Sequence, residues 1–177
     1  MTKKYWWSSV LADIKFCFVC GGSLRSVLVP ADKKKRLVCR LCLHITYLNP
    51  RSVAGMIPVL SDGRVALLKR SIEPGLGLWT YPAGYQEMGE SVAAAAARET
   101  REEIRVRVRG SKLLGVYSYP ESGVVVSVFV GKVPKRERPR AGEESQDVKL
   151  FKPEDIPWNQ LAFRSTRDAL KDWVTSL

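Results

Sequence analysis

The chain has 177 residues, of which 45% are hydrophobic and 27% are charged, and its 29 basic and 18 acidic residues give a net charge of +11. This balance is typical of a globular protein and excludes a chain that is disordered throughout. The length allows one domain of ordinary size with a small accessory module, and it excludes a large multidomain assembly on one chain.

The apolar stretches predict neither a membrane anchor nor a secretion signal. The longest nearly apolar run, Val124 to Val130, is far shorter than the roughly 20 residues that span a bilayer. The apolar residues near the N-terminus are interrupted by Ser8, Ser9 and Asp13, which makes this segment a poor signal peptide. We therefore expect a cytoplasmic protein without a membrane partner.

All four cysteines lie within the first 42 residues, as the pairs Cys17 with Cys20 and Cys39 with Cys42, each pair separated by two residues. Two such knuckles can surround one tetrahedral zinc ion with Zn–S distances of about 2.3 Å. Two disulfides would also satisfy the spacing, but they require an oxidising compartment. We predict a zinc site formed by the four thiolates, with His44 as a surface or packing residue.

The first 50 residues are strongly basic, and their densest cluster is Lys33 to Arg36, between the two knuckles. A hairpin tip is expected at this position. The cluster could bind nucleic acid through phosphate contacts, or it could be a solvated loop that aids solubility, and we favour the solvated loop. Asn49-Pro50 then predicts a boundary, because a residue before proline prefers extended geometry. The expected domains are residues 1–50 and 51–177.

Several strands and two helices are predicted after the boundary. Ser61-Asp62-Gly63 predicts a tight hairpin turn. Strands are predicted where apolar and polar residues alternate or where valines are frequent. These segments are residues 53–60 and 64–68, on either side of the turn, and residues 104–109 and 124–133. Leu170, Trp173, Val174 and Leu177 recur at helical spacing and predict a terminal amphipathic helix. This mixture indicates a layered α/β fold.

A second helix should begin near Ser91, a suitable N-cap, because the alanines at 93–97 are strong helix formers. Glu99, Glu102 and Glu103 follow at i, i+3 and i+4, so their carboxylates share one face. Hard divalent cations such as Mg²⁺ or Mn²⁺ prefer oxygen ligands gathered in this way. The alternative from spacing alone is a solvated face that is neutralised by neighbouring arginines.

The segment from Gly84 to Val106 resembles the Nudix hydrolase signature, G-x5-E-x7-R-E-U-x-E-E-x-G-U, where U is a bulky apolar residue. Its positions are matched in register by Gly84, Glu90, Arg98, Glu99, Glu102, Glu103 and Val106. Thr100 replaces an aliphatic residue, and its methyl group can still pack. Arg105 replaces a glycine, so we expect a different helix exit. The four-cysteine segment, Glu73 to Gly84 and Asp155 to Trp158 look like the zinc-ribbon branch of this family.

The resemblance implies a Nudix α/β/α sandwich with a mixed sheet, preceded by a small zinc ribbon, and a small-molecule nucleotide substrate. Hydrolysis of a diphosphate such as that of ADP-ribose or FAD is expected, with release of a nucleoside monophosphate. NADH or an oxidised nucleoside triphosphate is the alternative substrate, and a nucleotide-sensing or RNA- or DNA-binding module is the alternative without catalysis. The resemblance also implies a homodimer and a structural zinc.

Roles for individual residues follow from the same resemblance. Glu99 and Glu103 would be the main ligands of Mg²⁺ or Mn²⁺, with Glu102 assisting, the carbonyl of Ala83 completing one coordination sphere, and Glu90 binding indirectly. Arg98 would orient the glutamates. The general base would be Glu99 or a loop acid, with Asp147 first and Glu144 as the alternate. Aromatic side chains that could stack on the substrate are Trp79, Tyr81, Tyr85, Tyr117 and Tyr119.

Overall fold

A computed structural model describes residues 14–177 of the chain. These residues form two compact units: the first runs up to Pro50 and includes Tyr119–Gly123, and the second comprises Arg51–Ser118 and Val124–Leu177. No helix within residues 14–177 is long and apolar enough to cross a membrane.

The first unit is a three-stranded antiparallel sheet in the order β1-β2-β3. Its strands are β1, Leu24–Val29, β2, Lys34–Cys39, and β3, Ile45–Thr46. The turn between β1 and β2 ends at Lys33, whose φ of 54° is left-handed. Asp32 stabilises this turn, because its carboxylate accepts hydrogen bonds from the Lys34 amide at 3.2 Å and from Arg36 Nε at 2.8 Å. The basic cluster therefore lies at a hairpin tip, as the sequence predicts.

The second unit is built on a seven-stranded sheet with two main helices. The strands are β4, Arg51–Val59, β5, Val65–Arg70, β6, Trp79–Thr80, β7, Ala83–Tyr85, β8, Arg109–Tyr119, β9, Val124–Lys132, and β10, Ser145–Phe151. The helices are α1, Val92–Ile104, and α2, Arg164–Thr175, and two short 3-10 helices, Pro153–Asp155 and Trp158–Gln160, precede α2.

The main path of this sheet is β10-β5-β4-β9-β8, with β6 paired to β5 and β7 paired to β4. β4 and β9 are parallel over their whole length, from Arg51 opposite Val124 to Val59 opposite Lys132, whereas β4 pairs antiparallel with β5 and β7. The predicted hairpin turn is confirmed: the Leu60 amide donates to the Arg64 carbonyl at 2.8 Å, and Gly63 has a φ of 84°. The sheet is mixed, as expected.

Successive side chains of β4 and β5 point to opposite faces of the sheet, and apolar side chains on both faces are covered by helices. Ala54 and Met56 pack against Ala95 and Ala96 of α1 on one face. The core on the opposite face includes residues of the central strands, such as Ile57, and of α2. Other buried side chains on this second face are Val65, Leu67, Val128, Ala169, Leu170 and Trp173. The small alanines of α1 let the helix lie close to the sheet, and the result is the α/β/α layering that we expected.

Residues 104–109 do not form the predicted strand. Helix α1 continues to Ile104, and β8 begins only at Arg109. Burial of the side chains nevertheless alternates as predicted, because Ile104 and Val106 are buried while Arg105 and Arg107 are exposed. A helix end followed by a short connection therefore produces the same hydrophobic pattern as a strand.

The C-terminal ends of α1 and α2 also differ from expectation. Arg105 adopts the left-handed conformation, with φ 59° and ψ 27°, and its amide donates to the Arg101 carbonyl at 3.1 Å. The expected change of helix exit is therefore wrong: arginine takes the conformation that glycine would take there. At the C-terminus, Leu170 and Trp173 are buried as predicted, but Leu177 lies beyond the end of α2 and is exposed.

Candidate functional site

Helix α1 begins at a defined N-cap and is held firmly against the sheet. Ser91 Oγ accepts a hydrogen bond from the Ala94 amide at 3.2 Å, which satisfies one of the free donors of the first turn. Thr100 is fully buried, and its hydroxyl donates to the Ala96 carbonyl at 2.7 Å. The threonine therefore packs where an aliphatic residue was expected without leaving an unsatisfied hydroxyl. This arrangement fixes the orientation of the glutamates that follow.

A cleft of about 590 Å³ opens beside α1, within the second unit. Charged side chains dominate its lining, and uncharged lining residues come from the loop after β5 and from β7. The charged residues are Glu87, Glu99, Glu102, Glu103, Glu143 and Glu144 together with Arg70, Arg98 and Arg105. A volume of this size is in the range of small-molecule sites.

Arg98 joins three of the predicted carboxylates. Its Nη2 and Nε donate to the two oxygens of Glu90 at 2.7 and 3.2 Å, and its Nη1 donates to Glu99 at 2.7 Å and to Glu102 at 3.0 Å. Nη2 also donates to the Tyr85 carbonyl at 3.0 Å. The guanidinium lowers the pKa of Glu90 by a charge-assisted hydrogen bond. Arg98 therefore restrains the glutamates, and its donors are directed at them.

Glu103 is the most deeply placed of these carboxylates, with only 6% of its surface exposed. One of its oxygens accepts a hydrogen bond from the Ala83 amide at 2.8 Å. Burial raises the pKa of Glu103 to about 8, and the nearby charge of Glu99 adds to this rise. Burial also raises the pKa of Glu99. Crowded carboxyl groups in a partly buried site are costly unless a cation compensates their charge.

The glutamates of the cleft fit a hard divalent cation, and the clearest sign of this is the space that Gly84 leaves for one of them. A Cβ atom at residue 84 would lie only 2.1 Å from Glu99 Oε1, so the carboxylate occupies the space that any other residue would fill. Glu99, Glu102 and Glu103 supply oxygen donors on one helix face, next to β7, and Mg²⁺ and Mn²⁺ favour such donors. The same residues would hold either ion.

A loop far along the chain is attached to the C-terminal end of α1. The amides of Arg140 and Gly142 donate to the carbonyls of Ile104 and Glu103 at 3.0 and 2.9 Å, and Ser145 Oγ donates to the Glu103 carbonyl at 2.9 Å. These donors satisfy carbonyls that have no partner within the helix. Gly142 approaches closely, since a Cβ there would lie 2.1 Å from the Glu102 carbonyl oxygen.

This attachment brings Glu144 into the cleft but not Asp147. Glu143 and Glu144 line the cleft, whereas Asp147 belongs to β10 and is not among the lining residues. The Asp147 carboxylate accepts a hydrogen bond from the Val148 amide at 2.8 Å and lies 3.7 Å from Lys149 Nζ. Of the two loop acids suggested as the base, the structure places the alternate, Glu144, beside the other glutamates.

The five candidate aromatic residues have different environments. Trp79 and Tyr81 belong to the hydrophobic core, with 5% and 1% exposure, so the prediction that they stack on substrate is wrong. Tyr85 lines the cleft and is 45% exposed, and the Arg51 guanidinium lies 4.5 Å from its ring centroid. Tyr117 and Tyr119 lie on β8 and do not line the cleft, and the Tyr117 hydroxyl donates to Asp172 at 2.7 Å.

Three residues that line the cleft are not predicted from the sequence: Arg70, Ile72 and Glu87. Arg70 ends the buried strand β5, its Nε donates to the Pro74 carbonyl at 2.8 Å, and its guanidinium lies 5.1 Å from the Phe163 ring centroid. Arg70 is the second of two cations, after Lys69, that follow the run of four apolar residues Val65–Leu68, and this pattern is the signal that could have identified it. Arg105, one of the arginines next to the glutamates in the sequence, also lines the cleft.

The four cysteines of the first unit form one cluster. All four Sγ atoms lie within 4.8 Å of one another, with 3.7 Å between Cys17 and Cys42 and 3.5 Å between Cys20 and Cys39. No disulfide joins them. Tetrahedral zinc with bonds of about 2.3 Å requires S–S separations close to these values. His44 is not part of the cluster, and its ring contacts Phe18 edge to face at 4.9 Å.

Backbone amides complete this zinc site. The amides of Cys42 and Leu41 approach Cys39 Sγ at 3.5 and 3.4 Å and lower the pKa of this thiol to about 6. The Val19 amide approaches Cys17 Sγ in the same way. Gly22 suits the close packing at the knuckle, because a Cβ there would lie 2.9 Å from the Leu41 side chain and 3.0 Å from Cys39 Sγ. These contacts favour the thiolate form that binds zinc.

Comparisons with known proteins agree with both units. A family model described as NUDIX domain matches residues 49–174, and one described as Nudix N-terminal, a zinc ribbon, matches residues 15–48. The ADP-ribose pyrophosphatase of Methanocaldococcus jannaschii is 30% identical over 168 residues, which cover 90% of this chain and 96% of that protein. The crystal structure of a NUDIX hydrolase from Nitrosomonas europaea is 39% identical, covers 92% of each chain and has a TM-score of 0.85.

Similarity extends to another group of relatives. The NAD-capped RNA hydrolase NudC of Pseudomonas putida is 29% identical over 143 residues, which cover 81% of this chain but 50% of that protein. The chain thus spans about half the length of its NudC relatives. The signature helix, the mixed sheet and the four-cysteine ribbon all agree with the family matches. The chain therefore belongs to the Nudix hydrolases, as a pyrophosphohydrolase of the branch that carries an N-terminal zinc ribbon.

Proposed function

We propose that this enzyme hydrolyses the diphosphate of ADP-ribose, FAD or a similar dinucleotide and releases a nucleoside monophosphate. The observation that carries the proposal is the set of buried and half-buried glutamates, held by Arg98, at the wall of a cleft of about 590 Å³. A relative that matches along nearly its whole length is named ADP-ribose pyrophosphatase, which supports this substrate class.

The cleft residues have distinct tasks in this proposal. Glu99, Glu102 and Glu103, together with the Ala83 carbonyl, would hold Mg²⁺ or Mn²⁺, with Glu90 acting indirectly. Such a cation neutralises the charge of the diphosphate and lowers the pKa of water. Arg98 keeps Glu99 and Glu102 in place, and the Ala83 amide keeps Glu103 in place. Small errors in such positions are costly, because the reacting atoms must be aligned.

Glu144 is our candidate for the general base. It lines the same cleft as Glu99 and Glu103 and is carried there by the loop that is attached to α1. As the water oxygen bonds to phosphorus, its proton would pass to the Glu144 carboxylate, and the anhydride P–O bond on the opposite side would break. Glu99 remains the alternative base. Tyr85, exposed at the cleft wall, is our candidate for stacking on the base or isoalloxazine ring of the substrate.

A substrate panel tests this proposal. ADP-ribose, FAD, NADH, diadenosine polyphosphates and 8-oxo-dGTP are incubated with Mg²⁺ or Mn²⁺, and released monophosphate is measured. We expect one preferred dinucleotide diphosphate, and a loss of about 100-fold or more in Glu103→Gln, because ligand loss removes several kcal/mol of charge stabilisation. Glu154→Gln, at an exposed residue of a 3-10 helix, is the matched control and should keep full activity.

The outcomes separate the alternatives. Preferred cleavage of NADH would favour the second candidate, for which the similarity to the NudC proteins is the specific observation. Preferred cleavage of 8-oxo-dGTP would favour nucleoside triphosphate hydrolysis. No cleavage by folded, zinc-loaded protein would contradict the proposal and favour a nucleotide-sensing or nucleic-acid-binding module. The homodimer and the cytoplasmic location remain predictions, and sedimentation of the zinc-loaded protein tests the first of them.

A further inference from the structure

One face of the ribbon sheet combines cations with an aromatic ring. Arg25 is opposite Val38, Val27 is opposite Arg36, and Val29 is opposite Lys34 in the register of β1 and β2. Side chains alternate between the faces of a sheet, so Arg25, Lys34 and Arg36 lie on the same face. Tyr47, directly after β3, joins them, because the Arg36 guanidinium lies 5.1 Å from its ring centroid. We call this the basic face.

The basic face continues toward the zinc knuckles. The Arg40 amide donates to the Ser23 carbonyl at 2.9 Å, and Phe16 forms an antiparallel bridge with Ser23, two residues before Arg25. Alternation therefore adds Arg40 and Phe16 to the same side of the sheet. Arg25, Lys34 and Arg40 are exposed, as are the Phe16 and Tyr47 rings, at 68% and 56%.

The ribbon sheet of this unit carries mostly positive charge. Residues 14–50 contain seven lysines and arginines and a single acidic residue, Asp32. Asp32 is paired with Arg36 at 2.8 Å in the hairpin turn, so it does not oppose the exposed cations. A folded surface of this kind attracts polyanions and concentrates them near itself. Its charge therefore favours a polyanionic ligand.

The arrangement favours one polyanion. Lys34 and Arg36 are two residues apart on one face of β2 and therefore about 7 Å apart along the strand. Arg25, opposite Val38, and Arg40, beside Ser23, continue this row of cations toward the knuckles, and such a row can follow a phosphate backbone. An exposed ring with an arginine over its face is a flat surface on which a base can stack. Cations interleaved with exposed aromatic rings are typical of proteins that bind single strands. We propose that the basic face binds single-stranded nucleic acid, with Arg25, Lys34 and Arg40 contacting phosphates and Tyr47 stacking on a base.

The salt dependence of binding tests the phosphate contacts. A fluorescein-labelled 20-nucleotide oligouridylate is titrated with the full-length, zinc-loaded protein at several salt concentrations, and binding is followed by anisotropy. On a single strand, each neutralised phosphate contributes about 0.7 to the magnitude of the slope of log K against log salt. The triple variant Arg25→Gln, Lys34→Gln, Arg40→Gln should therefore have a slope that is smaller by about 2. The matched control, Lys149→Gln, Lys152→Gln, Lys171→Gln, removes the same charge from the second unit and should keep the slope.

Substitutions at Tyr47 test stacking independently of charge. Tyr47→Ala should weaken oligouridylate binding about tenfold without a change of salt slope, and Tyr47→Phe should bind like the unaltered protein. Zinc content of one ion per chain verifies that each variant keeps its ribbon. Hydrolysis of the small dinucleotide should be unchanged in all these variants, because their substitutions lie outside the cleft. Failure of the proposed hydrolysis would therefore be recognised separately from failure of this inference.

Several results would overturn the inference. The unaltered protein could fail to bind oligouridylate even at low salt, or the ribbon triple variant could keep the same affinity and slope. Equally weakened binding in both triple variants would show a general effect of net charge instead of a site. Vesicles of phosphatidylserine and phosphatidylcholine provide the last comparison. The unaltered protein could bind these vesicles but not oligouridylate, and the ribbon triple variant could lose the vesicle binding. That result would identify an anionic membrane surface as the partner in place of nucleic acid.

Discussion

Gly84→Ala is the substitution that separates catalysis from stability most clearly. The added Cβ would lie 2.1 Å from Glu99 Oε1, 2.2 Å from Cδ and 2.5 Å from Oε2, whereas ordinary contacts begin near 3.4 Å. The Glu99 carboxylate must therefore withdraw by about 1 Å, the difference between these distances. This movement also disrupts its 2.7 Å ion pair with Arg98. The rest of the helix can remain in place, because the obstacle is the end of a flexible side chain.

The expected magnitude follows from this displacement. A misplacement of about 1 Å in a catalytic site can cost roughly 100-fold, or about 2.7 kcal/mol in the activation free energy. Gly84 does not have a left-handed φ, so alanine suits its backbone. Replacing glycine by alanine at such a position stabilises a protein by about 0.4–1 kcal/mol through the unfolded state. We therefore expect kcat to fall about 100-fold while the melting temperature is unchanged or slightly higher.

The assay compares Gly84→Ala, Glu99→Ala and the double variant, with kcat measured over a range of Mn²⁺ concentrations. If the new methyl group acts only by displacing Glu99, the double variant should be no slower than Glu99→Ala, since both changes remove the same function. Multiplicative reductions in kcat would refute this reasoning, and so would a Gly84→Ala enzyme with normal kcat and normal Mn²⁺ dependence. A fall in melting temperature would show that the clash is relieved by the backbone instead.

Three further predictions concern residues that the fold places in distinct environments. Glu144→Gln should lower kcat about 100-fold or more and alter the pH profile, as loss of a general base does, whereas Asp147→Asn should stay within about twofold; equal effects in steady-state kinetics would contradict the assignment. Arg105→Gly should stabilise the protein by about 1 kcal/mol by removing left-handed strain, which is a rise of about 2–4 °C in the melting temperature by circular dichroism; a fall would show that the arginine side chain supports the fold. Tyr85→Ala should raise KM about tenfold with little change in kcat, while Trp79→Ala, in the core, should lower stability by about 3–5 kcal/mol; an unchanged KM would exclude Tyr85 as a stacking residue.

The features that could be predicted from the sequence are those whose residues are close together along the chain. Glu99, Glu102 and Glu103 share a face because helical geometry requires it, and the side chain of Arg98 reaches two of them over one turn. The cysteine spacing and the turn at Gly63 are equally local. Their geometry follows from short-range rules of backbone and side-chain structure, so these features can be predicted from the sequence alone.

Other features depend on contacts between distant segments, and only the tertiary structure decides them. Burial separates Trp79 and Tyr81 from Tyr85, although all three lie within seven residues of sequence. Hydrogen bonds from residues 140–145 to the end of α1 place Glu144, and not Asp147, in the cleft. Residues 104–109 have the alternation of a strand but contain the end of helix α1 and the connection after it. The alternation arises because packing on the sheet buries Ile104 and Val106. In each case the sequence supplies the chemical group, and long-range packing determines whether that group faces the core, the solvent or the cleft.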